Sequence, residues 1–98
     1  MNSSLGRPLT VLIQGTGLIG TSVGLALSSA GWPVHLRDPN ADALGQAHSL
    51  GAGSKDAVNA DDVDLVVVAA PPAVTAEVVT ASLDEFSRAI VTDVASLK

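Results

Sequence analysis

The sequence contains no cysteine. Disulfides, thiolate zinc sites and cysteine nucleophiles are therefore excluded, and the absence fits a reducing compartment, so a cytoplasmic location is the expectation. Aromatic residues are almost as scarce, at 2% against a hydrophobic share of 47%. The core must then be built from valine, leucine, isoleucine and alanine, which suits a parallel sheet covered by helices. Positive charge is short as well: 5 lysines and arginines face 10 acidic residues, for a net charge of -5. That leaves no basic surface for a phosphate backbone or an anionic lipid, so neither nucleic acid nor a membrane is an expected partner.

Long unbroken apolar runs are missing too. No charged residue lies between Arg7 and Arg37, and Gly20-Thr21-Ser22-Val23-Gly24 has the G-x-x-x-G spacing of packed membrane helices. Glycine, serine, threonine and Gln14 interrupt the stretch, however, and its helix-like part falls short of the roughly twenty residues that a span requires. Residues 1–8 lack the charged start and apolar centre of a secretory signal and read as a loose leader.

What the chain does have is a glycine turn in a telling context. Leu9-Thr10-Val11-Leu12-Ile13 is short, uncharged and rich in β-branched residues, as in a strand buried on both faces. Leu18 to Ala30 reads as a helix that stops at Gly31, with Pro33 beyond. Between them lies Gly15-Thr16-Gly17-Leu18-Ile19-Gly20, a G-x-G-x-x-G run. Gly15 permits a tight turn, Gly17 lets a pyrophosphate approach the backbone, and Gly20 lets helix and strand pack closely. Unpaired amides at the helix start carry partial positive charge, so the pyrophosphate is held without a basic side chain. Gly24 is expected to extend the close contact of helix on sheet.

The second strand, Pro33 to Asp38, places an acidic residue about twenty positions after the glycines. Asp38 at its carboxyl end can accept hydrogen bonds from the adenosine ribose hydroxyls, and its charge favours NAD over NADP. Arg37 could accommodate a 2′-phosphate, but in an extended strand it leaves on the opposite face from Asp38. His35, inside the strand, reads as structural. Asn40 caps a second helix to about Leu50, with Ala43, Leu44, Ala47 and Leu50 as its apolar stripe and His48 turned to solvent.

A short third strand is expected at Ala52 to Lys55. Asp56 to Asp62 is a solvated turn or short helix, because it lacks the ligand order of a calcium loop; no metal site is expected. Leu65 to Ala70 is the clearest strand, apolar throughout and therefore central, and Ala69, Ala70 and Pro71 would line the cofactor. Val74 to Phe86 reads as a helix burying Val74, Val78, Ala81 and Phe86, and Ala89 to Asp93 as a fifth strand. The expectation is a doubly wound, Rossmann-like α/β domain over residues 9–98, with strand order 3-2-1-4-5. At 98 residues the chain is short for a complete dinucleotide-binding enzyme.

Gly15-Thr16-Gly17-Leu18-Ile19-Gly20-Thr21-Ser22, then Ala69-Ala70-Pro71, then Thr92-Asp93-Val94-Ala95-Ser96-Leu97-Lys98, resembles the amino-terminal domain of prephenate and arogenate dehydrogenases. The resemblance implies NAD-dependent oxidative decarboxylation of prephenate to 4-hydroxyphenylpyruvate, on a route to tyrosine. It places Ser96 beside the substrate ring hydroxyl and the nicotinamide. A loop hydroxyl bonding its own backbone is the alternative for Ser96. Lys98 matches the family position without a derived role. The family's catalytic histidine and its helical dimerisation domain follow the segment seen here, so the chain reads as truncated before that domain, and neither His35 nor His48 takes the histidine's place. The full-length protein is expected to be a homodimer, and this chain alone is expected not to turn over prephenate. Arogenate as substrate, a non-catalytic nucleotide-binding module, and a dehydrogenase of hydroxy acids stay open as alternatives.

Overall fold

A computed structural model describes residues 8–94. In chain order the regular elements are β1 (Val11–Gln14), α1 (Leu18–Ser29), β2 (Val34–Arg37), α2 (Ala41–Ser49), β3 (Leu65–Val68), α3 (Thr75–Glu85) and β4 (Ile90–Asp93). Single 3-10 turns at Ala60–Asp62 and Pro72–Val74 precede β3 and α3. All strand pairs are parallel, in the order β2-β1-β3-β4.

Alternation along β1 builds both halves of the core. Val11 and Ile13 join Val34, Leu36, Val67, Ala47 and Ala52 on one face, where Val23 and Leu27 of α1 and Leu44 of α2 pack. Leu12 joins Val66, Val68, Val63, Ala70 and Phe86 on the other, under Val78 and Val79 of α3. Helices therefore cover both faces, and β1 and β3 are central, as their unbroken apolar sequences require.

Several expectations need correction. The sheet has four strands, the expected second, first, fourth and fifth in that order, and the remaining strand of the expected 3-2-1-4-5 arrangement, the third, does not form as a full strand at the β2 edge. The segment expected as a third strand makes only one parallel bridge, His35 to Ser54, carried by the amide of Leu36 donating to Ser54 and that of Ser54 to Val34. Gly24 packs on this segment, not on a strand: a Cβ there would come 2.5 Å from the Ala52 carbonyl oxygen. Leu50, the residue that ends α2, is 65% exposed and leaves the apolar stripe to Leu44 and Ala47. On α3, Ala81 is exposed, as is Val74 before the helix; Ser82 is the fully buried residue, and its hydroxyl accepts a hydrogen bond from Gln14 Nε2 at 3.3 Å. A polar side chain is tolerated there because its partner comes from β1, which no helical periodicity reveals.

Among the described residues no helix is long and apolar enough to cross a membrane.

Candidate functional site

The carboxyl ends of β1, β2 and β3 open onto one cleft of about 700 Å³. Its floor is the turn from β1 into α1. Gly15 adopts φ +107°, a conformation that costs a side chain dearly, and a Cβ there would also meet the Ala69 carbonyl oxygen at 2.7 Å. The turn is stitched in from both sides: the Gly15 amide donates to Arg37 O, and the Ala69 amide to Gln14 O, each at 2.8 Å. Gly20 seals it, since a methyl group would fall on the Gly15 carbonyl.

Gly17 behaves differently. It is the N-cap of α1, a Cβ on it would meet nothing within 4 Å, and it lines the cleft with Leu18 and Ile19. No side chain caps this helix start and its first turn holds no acidic residue. The partial positive charge of α1 thus faces open space that the protein itself does not need.

Asp38 stands at the lip. Its Oδ2 accepts from the Thr16 amide at 2.7 Å and from the Thr16 hydroxyl at 2.8 Å, while Oδ1 accepts from the Asn40 amide at 2.8 Å. Partial burial pushes the carboxyl up, but the hydrogen bonds from the Thr16 amide, the Asn40 amide and the Thr16 hydroxyl outweigh it and hold the group below its ordinary value. The carboxylate is therefore ionised at neutral pH and fixed in direction.

Of the residues singled out from sequence, Gly15, Gly17, Leu18, Ile19, Arg37, Asp38, Ala69, Ala70 and Pro71 all border this cleft. Thr16 and Gly20 lie beneath it, buried. Arg37 leaves β2 toward α3, where Nη1 donates to Glu85 Oε1 at 2.9 Å and the guanidinium sits 5.3 Å from the Phe86 ring centroid. Ser96 and Lys98 lie outside the described residues. His35 contacts the Asp56 carbonyl oxygen at 3.3 Å and His48 the Gly53 carbonyl oxygen at 3.0 Å, both away from the cleft. Among the described residues no group of three or more acidic or histidine side chains is placed to hold a metal ion.

Sequence reasoning missed Pro39, Asn40, Val74 and Val78 as walls of the cleft. Val74 and Val78 both read as residues of a buried helix face, and Val78 does pack against the core while also lining the cleft. Val74 immediately precedes α3 and Val78 lies in its first turn, so the start of the helix contributes to the cleft wall.

No family model matches the chain. Over 89 residues, 91% of its length, the chain is 40% identical to the probable prephenate dehydrogenase NovF of Streptomyces niveus, and it spans 24% of that protein. Among solved structures, Synechocystis arogenate dehydrogenase matches with a TM-score of 0.78 and 20% identity, over 92% of this chain and 34% of that one. Mycobacterium tuberculosis 3-hydroxyisobutyrate dehydrogenase matches with a TM-score of 0.67 and 23% identity, over 89% of this chain and 31% of that one. At these identities the structural matches speak to the fold, the parallel α/β architecture of dehydrogenases.

Proposed function

We propose that the chain is the NAD-binding domain of a prephenate dehydrogenase, a reading supported by its 40% identity over 91% of its length to a probable prephenate dehydrogenase. One observation carries the cofactor reading: the uncapped start of α1 and the ionised Asp38 carboxylate face the same cleft, floored by a turn in which Gly15 and Gly20 admit no side chain.

The residues present fit a dinucleotide. The space over Gly17 and the first-turn amides of α1 would receive the pyrophosphate, Asp38 the ribose hydroxyls, and the small wall of Ala69, Ala70 and Pro71 would leave room near the middle of the cofactor. When bound, NAD supplies the hydride acceptor. Leu18 and Ile19, both exposed at the mouth, would help to keep water from the reacting end. Ser96 would orient the ring hydroxyl of the substrate.

NAD is preferred to NADP in this reading. A 2′-phosphate about 4 Å from the Asp38 carboxylate would cost on the order of 4 kcal/mol per unit charge at an effective dielectric of 20. Prephenate is the proposed substrate because the relative matched at 40% identity is named a probable prephenate dehydrogenase, with arogenate the alternative. A homodimer of the full-length protein and a cytoplasmic location complete the proposal. A melting experiment tests it: NAD at about 100 times its Kd should stabilise the protein by about 2.7 kcal/mol and raise Tm. An unchanged Tm at every concentration, for a folded sample, contradicts it.

A further inference from the structure

We infer that the carboxyl end of α3, through Glu85 and Phe86, sets the cofactor selectivity of the cleft by holding Arg37 away from the place a 2′-phosphate would take. The inference rests on the dinucleotide reading above. Among the described residues Arg37 is the one cation bordering the cleft, and it directly precedes Asp38 at the end of β2. An arginine near this strand end is the group that accommodates a 2′-phosphate. Here its guanidinium is engaged elsewhere, donating to Glu85 Oε1 at 2.9 Å and stacked 5.3 Å from the Phe86 centroid. Phe86 is 1% exposed, so the platform is part of the core. Glu85 is the last residue of α3, anchored one turn back by buried Ser82.

The consequence is a division of charge. Asp38, just past β2, repels a phosphate at the cleft, while the neighbouring cation that could compensate is paired with Glu85. Both partners of the ion pair are partly exposed, at 42% and 48%, so the tie is modest and one substitution releases it. Glu85 is thus a positioning residue that acts through Arg37.

The test is calorimetric titration of the full chain with NAD and with NADP, for the natural protein and for Glu85→Gln, Glu85→Ala and Glu85→Asp. Releasing Arg37 from Glu85 should tighten NADP by about two- to fivefold in the Gln and Ala variants, while NAD changes by less than about 1.5-fold. The Asp variant, which keeps the carboxylate, should stay close to the natural ratio. Adding Arg37→Ala to Glu85→Gln should remove the gain. Damage to the fold would weaken both cofactors together, so the ratio reads selectivity alone. NAD binding with an unchanged NADP-to-NAD ratio in Glu85→Gln and Glu85→Ala overturns this inference but spares the dinucleotide reading. A natural protein that binds neither cofactor overturns both.

Discussion

Asp38 and Thr16 form a double link: one carboxylate oxygen accepts from both the amide, at 2.7 Å, and the hydroxyl, at 2.8 Å, of the same threonine. The end of β2 is thereby tied to the turn between β1 and α1, and the two parts of the cleft that the proposed dinucleotide would bridge become one unit. Thr16→Val keeps the amide and deletes the hydroxyl. It should lower stability by about 1–2 kcal/mol, measured by urea unfolding, because a hydrogen bond to an ionised group is lost at a partly buried site. NAD affinity should fall with it. An unaltered unfolding midpoint would show that the hydroxyl contributes nothing.

The same link gives stability a pH dependence of definite sign. Asp38 titrates below its ordinary value of 3.8 in the folded protein. Its contribution is therefore fully present above the unfolded value and is lost as pH falls through the lower, folded one. Stability should decline on the acid side of about pH 4, and Asp38→Asn should flatten that limb without changing the neutral region's slope. Denaturant unfolding at a series of acid pH values measures both, and superimposable acid limbs for the two proteins would contradict the assignment.

Gly17 and Gly20 should separate binding from folding. A methyl at Gly17 meets nothing of the protein within 4 Å, whereas one at Gly20 strikes the Gly15 carbonyl. Gly17→Ala should leave the unfolding free energy within about 0.5 kcal/mol, yet weaken NAD tenfold or more if, as proposed, the cofactor takes that space. Gly20→Ala should cost about 1–3 kcal/mol through overpacking. Equal losses of NAD affinity and stability in both variants would count against the turn as a phosphate cradle.

Phe86 is the largest fully buried side chain and closes the core beneath α3. Truncation to alanine should cost about 3–5 kcal/mol, read from thermal or urea unfolding. A loss below about 1 kcal/mol would mean that the face of the sheet under α3 is poorly packed.

Much of this was legible in the sequence because the signals were local. The glycine run, the apolar β3 segment and the Asn40 cap each state their own geometry, and the parallel α/β architecture follows from them. Asn40 does accept from the Asp42 and Ala43 amides. What was illegible was tertiary. Ser82 is buried instead of Ala81 because Gln14 supplies its partner across 68 residues of sequence. Arg37 is drawn to Glu85, 48 residues away, which strand alternation places on the right face but cannot pair. Ala52 to Lys55 reads as a strand, yet beyond the His35 to Ser54 bridge no further pair forms along it. Its small residues serve instead as the seat for Gly24 of α1.

The most direct measurement is a calorimetric titration of the natural chain with NAD and NADP in parallel. The account predicts binding of NAD at one site per chain, with NADP weaker by tenfold or more because of the Asp38 charge. Failure of a folded sample to bind either cofactor, or tighter binding of NADP, would contradict it.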